Sequence, residues 1–136
     1  GALVVDVAAG TISECGADPA AILGVALMDA FSNPGYEVAN SSLVVATTGR
    51  SDNCAVALAD REQEFSGRMT NAGVDVAPLQ THVGEQYGVV KVGDDWTIDQ
   101  TEVAAVKVEI TDIVEAQGGD PGFHLFKFLE AALAGP

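Results

Sequence analysis

The amino-acid sequence predicts an all-β domain, and three observations lead there. Apolar and polar residues alternate with a period of two along most of the chain. Clusters of Gly, Pro, Asn and Asp interrupt that alternation at short intervals, as turns between strands do. Hydrophobic residues make up 48% of the 136 residues, enough for one ordinary core without cross-links. The expected architecture is a single domain over residues 1–136, with about ten short strands and one short helix. Because the chain opens directly in a strand-like run, an arm preceding Gly1 is also expected.

The elements follow in order. Leu3, Val5 and Val7 alternate with Val4 and Asp6, Ala9-Gly10 turns the chain, and Thr11 to Cys15 returns, which predicts a hairpin. Ile22 to Met28 is almost wholly apolar and reads as a central strand; Gly24 within it marks a bulge or a close backbone approach. Phe31 to Gly35 is a turn cluster. Leu43 to Ala46 and Cys54 to Ala59 read as strands on either side of a loop. Phe65 and Met69 fit one strand kinked at Gly67, and Asn71 to Leu79 reads as a loop ending after Pro78.

Leu79 to Tyr87 is the helix candidate. Leu79, Val83 and Tyr87 are spaced by four, Thr81 offers an N-cap, and Gly88 a stop. Gly84 argues against it, costing about 1 kcal/mol relative to Ala in a helix interior. Val89 to Val92, a Gly93-Asp94-Asp95 turn and Trp96 to Ile98 form a second hairpin. Val106, Val108 and Ile110 alternate with Lys107, Glu109 and Thr111. After the flexible turn Gly118 to Gly122, the strand from Phe123 to Leu129 places His124, Phe126 and Phe128 on one face. Its other face is apolar too, so it reads as central or covered by a neighbouring subunit.

Charge narrows the function classes. Twenty acids against six bases give a net charge of −14. The bases Arg50, Arg61, Arg68, Lys91, Lys107 and Lys127 are scattered and make no basic stripe. Nucleic acid and anionic membrane surfaces are therefore not expected partners. The cysteines, Cys15 and Cys54, match no metal or redox spacing. Two buried free thiols are favoured, and a disulfide would require their strands to be neighbours.

Catalytic patterns are lacking: there is no nucleophile elbow, phosphate loop, zincin motif or dinucleotide fingerprint. No catalytic residue, cofactor or metal site is expected. His82 and Glu85 have one-turn spacing, which reads as a surface pair, and His124 as a residue filling a strand face. Asp94, Asp95, Asp99 and Glu102 crowd one hairpin; Ca²⁺ is a minor alternative to ordinary turn chemistry there. Asn40-Ser41-Ser42 matches the glycosylation acceptor pattern, which is frequent by chance.

Three stretches carry a family resemblance. The first is Gly10-Thr11-Ile12 followed by Ile22 to Ala30. The second is Val56 to Ala59, then Phe65-Ser66-Gly67, then Val83 to Val89. The third is Trp96 to Asp99, the strand Val106 to Ile113, and the terminal run Phe123 to Ala132. In order and spacing the chain resembles the head decoration, or cement, proteins of tailed phages. It departs from them at Phe123 or His124, where Arg is frequent, at Glu130, where Pro is frequent, and in longer loops around Pro34 and Gly49.

The resemblance implies a small antiparallel β-barrel of the tulip type, assembled as a homotrimer on the outer surface of the virion head. The partner it implies is the phage major capsid protein, and the activity is mechanical stabilisation of the lattice, not catalysis. Leu3, Val5, Tyr87, Trp96, Phe123, Phe126 and Phe128 are the interface candidates; Tyr87 and Trp96 are equally able to serve as core, and the Phe123 to Leu129 strand reads as core first, with part of it at an interface. Three alternatives remain: another virion β-barrel such as a minor capsid or tail-tube component, a small-ligand or carbohydrate-binding barrel supported by the Trp96 hairpin, and a hydrolase resting on the Asp94 to Glu102 acids.

Overall fold

The computed structural model describes residues 2–8, 11–16, 19–27, 56–115 and 121–133. The expected strand at Leu43 to Ala46, the Ala9-Gly10 turn, Cys54 and the Asn40 motif lie outside them. The described chain is all-β, in two sheets. The smaller has the order β2-β1-β3-β4, from β1 (Leu3–Ala8), β2 (Thr11–Glu14), β3 (Gly24–Ala26) and β4 (Val56–Leu58).

The larger sheet has the order β5-β11-β10-β8-β9-β6-β7. It is built from β5 (Phe65–Gly67), β6 (Met69–Asn71), β7 (Val74–Val76), β8 (Gln86–Val92), β9 (Asp95–Asp99), β10 (Val108–Val114) and β11 (Phe123–Phe128). Neither ladder returns to its first strand, so the described sheets are open.

The hairpins expected from alternation are present. β1 and β2 pair antiparallel, with Val4 opposite Glu14. β8 and β9 pair with Val92 opposite Asp95, leaving a two-residue Gly93-Asp94 turn in which Gly93 has φ +64°. β11 is central, flanked by β10 and β5, and buries His124, Phe126 and Phe128 as its period of two requires. A β-bulge in β10 between Ile110 and Asp112 resets the pleat. It brings Ile113 opposite His124 and Ile110 opposite Phe126, so residues three apart in sequence face the same core.

Gly24 is the close approach its position suggested. A Cβ there would overlap the carbonyl oxygen of Ala57 on β4 and lie 2.7 Å from the Val56 Cγ1. The smaller sheet is tied to the chain's last described turn, where the Ile22 amide donates to the Ala132 carbonyl at 2.8 Å.

Three expectations are corrected. The helix over Leu79 to Tyr87 is a single 3-10 turn, Gln80–His82, followed by a strand from Gln86. The four-residue spacing mimicked a helical face, but Gly84 takes φ +87° and its amide donates to Ile110, not to its own segment. Tyr87 therefore belongs to the pleated face of β8, and Thr81 caps nothing, the N-cap being Leu79. The kinked strand is two strands: the break falls at Arg68, and β5 pairs with β11 while β6 pairs in parallel with β9. That single junction residue joins the edge strand β5 to β6, the last but one strand at the other side of the larger sheet's order.

The third correction is the loop from Asn71 to Leu79, whose first half is the β6–β7 hairpin, with Asn71 opposite Val74. Its two turn residues, Ala72 and Gly73, have φ of 49° and 83°, the pattern of a type I′ turn. Ala is poorly suited to the left-handed region, where an L residue is destabilised by about 1–2 kcal/mol and Asn is better tolerated. Ala72→Asn is expected to raise the unfolding free energy by about 0.5–1 kcal/mol in a urea titration. A loss of stability would contradict that turn.

The core lies between the two sheets and on the inner face of the larger one. Ile22, Met69, Ile98, Ile110, Val108 and His124 are its largest fully buried side chains. Phe65, Phe126 and Phe128 pack together, with ring centroids 5.3–6.0 Å apart.

Candidate functional site

The chain has two histidines, and the fold brings them together. β11 turns His124 inward, opposite Gly67 of β5 and Ile113 of β10, where it is wholly buried. The 3-10 turn projects His82 onto the same spot, and it too is buried. His82 Nδ1 and His124 Nε2 are 2.9 Å apart, and the Tyr87 ring meets His82 edge-on. The expectation that His82 is a surface residue is thus overturned. No local pattern could have paired residues so distant in sequence.

Which ring donates across this contact depends on the tautomer, and one backbone donor bears on it. The Leu79 amide donates to His82 Nδ1 at 3.3 Å, so that nitrogen carries a lone pair. With that lone pair in place, the hydrogen between the rings is carried by His124 Nε2 and His124 Nδ1 is bare. That atom is buried without a hydrogen-bond partner. His82 Nε2 lies 3.5 Å from the Gln100 side-chain nitrogen, and the Gln100 oxygen accepts from the exposed Asn71 amide at 3.0 Å. Burial, with His82 beside it, pushes His124 down from 6.5 to about 4. Sealed from solvent, the pair presents no face to a substrate.

A second polar cluster joins the sheets. Glu14 of β2 accepts from the Trp96 indole Nε1 at 2.8 Å and pairs with Lys91 Nζ at 2.7 Å. The Lys91 ammonium and then the indole hydrogen bond hold Glu14 below the usual carboxylate range. Trp96 and Lys91 are cross-strand partners, so one carboxylate anchors two adjacent strands of the larger sheet to the smaller.

The remaining sequence candidates separate. Leu3, Tyr87, Phe126 and Phe128 are buried in the chain's own core, Val5 and Trp96 are half-buried, and Phe123 is exposed. The four acids do not converge. Asp94 and Asp95 lie at one end of β9, and Asp99 and Glu102 at the other. Asp99 accepts from the amide and hydroxyl of Thr101, and Glu102 from the amides of Ala104 and Ala105. Those two amides, Ala105 first, keep Glu102 below the usual carboxylate range. Among the described residues, no three His, Cys, Asp or Glu side chains are grouped to hold a metal. Cys15 is a buried free thiol, pushed up chiefly by burial and then by the charge of Glu14.

The recesses formed by described residues include two of note. An apolar cavity of about 90 Å³ between the sheets is lined by Leu3, Val25, Phe65, Trp96 and Phe128 among others. This is well below the roughly 300–1,000 Å³ of pockets that enclose drug-sized ligands. A polar groove of about 150 Å³ runs past Arg68, Asp75, Thr70 and Thr97. Its groups are already engaged with one another: Arg68 pairs with Asp75 at 3.3 Å, and the Thr70 and Thr97 hydroxyls bond at 2.9 Å.

No family model, curated protein or solved structure matches the chain.

Proposed function

We propose that this chain is a non-enzymatic decoration protein of a tailed-phage head, binding the outside of the capsid as a homotrimer and bracing the major capsid lattice against the pressure of packaged DNA. The observation that carries the reading is an exposed apolar pair on the strand pair that bears the third family-like stretch. Val114 and Phe123 are direct partners across β10 and β11, so their side chains share one face, and they are 41% and 37% exposed. Adjacent exposed apolar groups at a strand end favour burial against a partner, and aromatic residues are frequent anchors of such contacts.

Two further features support it. A net charge of −14 opposes contact with DNA and suits a surface turned away from it. The Arg68 junction, which sends β5 to β11 and β6 to β9, is compatible with a small barrel of the tulip type in which β5 and β6 are the two halves of one wall strand. Three weak contacts held in one trimer act together with far greater affinity than any one alone.

The test pairs native mass in solution with cosedimentation on undecorated phage heads. A trimer that pellets with heads and raises their thermal resistance is expected, as is loss of pelleting in a folded Phe123→Asp variant. A monomer that ignores heads would overturn the reading, and a hexameric ring would favour a tail-tube component instead.

A further inference from the structure

We propose that the His82–His124 pair is a proton-operated fastening, holding the Leu79–Gly84 segment against the inner face of the larger sheet at neutral pH and releasing it in mild acid. His82 joins the segment to His124, Gln100 and the Tyr87 ring, the Gly84 amide joins it to the Ile110 carbonyl, Val83 packs half-buried against the core, and the Leu79 side chain is 54% exposed. The side chain of His82 is its fully inserted polar anchor.

The geometry makes that anchor sensitive to protons. The rings share one hydrogen across 2.9 Å, and the remaining site on His124, Nδ1, is buried with no acceptor in reach. A proton there places a charge in a dry site without a partner, which is strongly unfavourable. That charge is relieved when the segment bearing His82 lifts away and admits water.

Among the described residues no neighbouring group offsets this. β5 and β10 present Gly67 and Ile113 to His124, and β8 presents Tyr87 to His82, its hydroxyl pushed up by burial and kept neutral. The nearby carboxylates of Asp99 and Glu102 are bonded to their own loop, and Glu85 is exposed. A histidine depressed from 6.5 to about 4 leaves the folded state proton-poor relative to the unfolded chain. The fastening is therefore intact above 6.5 and weakens as the pH falls toward about 4.

Hydrogen exchange of the full chain tests this, with protection factors measured between about pH 7 and about pH 5, where only histidines titrate among unperturbed side chains. The Leu79 and Gly84 amides are expected to lose at least about tenfold in protection, a change of about 1.4 kcal/mol in local opening. The amides of Ile110 and Phe126 are expected to hold theirs. In His124→Gln, whose side-chain amide still donates to His82, the loss is expected to disappear. Unchanged protection at Leu79 and Gly84, or a loss that persists in His124→Gln, would overturn the proposal. Should that variant fail to fold, the His124 ring signal of the unaltered chain decides. An ordinary midpoint in a chain with intact Gly84 protection rejects the fastening; a depressed midpoint that tracks the loss of protection supports it.

Discussion

Phe128→Ala is expected to lower the unfolding free energy by about 3–5 kcal/mol, the range for emptying a buried aromatic site. Phe128 is 2% exposed, pairs with Val108, and meets both Phe65 and Phe126 edge to face. It touches the strands on either side of β11 and lines the apolar cavity between the sheets. Removing the ring would enlarge that cavity, and the surrounding strands can close over it only by giving up their register. Since small domains are stable by about 5–15 kcal/mol in total, the variant should be folded but marginal. Urea unfolding should show a lower midpoint at an unchanged slope, whereas Leu58→Ala, at a 62% exposed position, should move it by less than about 0.5 kcal/mol. A Phe128→Ala loss below about 1 kcal/mol would show that this ring is not part of the core.

The second large effect is expected from one methyl group. Gly24→Ala should lower stability by about 1–3 kcal/mol, because the new Cβ overlaps the Ala57 carbonyl, a backbone atom that cannot rotate away. The β3–β4 ladder, where Val25 faces Ala57, would have to part. The damage should be confined to the smaller sheet. Amides of β3 and the Ala59 amide, which donates to Leu23, should lose protection while those of β10 and β11 keep theirs. Gly16→Ala is the control, with nothing within 4 Å of the added atom. Equal behaviour of the two variants would disprove the close approach.

Legibility of this fold in its sequence tracks local pattern. The β1–β2 and β8–β9 hairpins, β10 and β11 were readable because one face of each alternates cleanly and a turn residue marks an end. Gly24 was readable because a glycine inside an apolar strand gives up packing, which suits a place where another backbone comes close. The β6–β7 hairpin was not, because its strands are three residues each and its turn places an alanine where glycine or asparagine would have announced it. The Leu79 to Tyr87 stretch misled through coincidence of spacing. Its geometry is decided by a glycine whose hydrogen-bond partner, Ile110, lies far along the chain. The histidine pair was invisible for the same reason: it exists only once β11 and the 3-10 turn are in place. Of the interface candidates, apolar character was legible, but which of them point outward was not.

The Arg68 junction also has a consequence in time. The segment from Phe65 to Asn71 cannot satisfy its backbone locally, apart from the short hairpin with β7. Its β5 half waits for Phe126 and its neighbours, and its β6 half for Ile98. During synthesis those partners emerge later, and β11 is the last strand of the described chain to appear. Docking of β5 is therefore a late event governed by closure of a long loop, the kind of non-local step that slows folding of β-rich chains. Until then Phe65 and Met69 remain uncovered on a nascent chain whose acidic character, at −14 overall, keeps such intermediates apart.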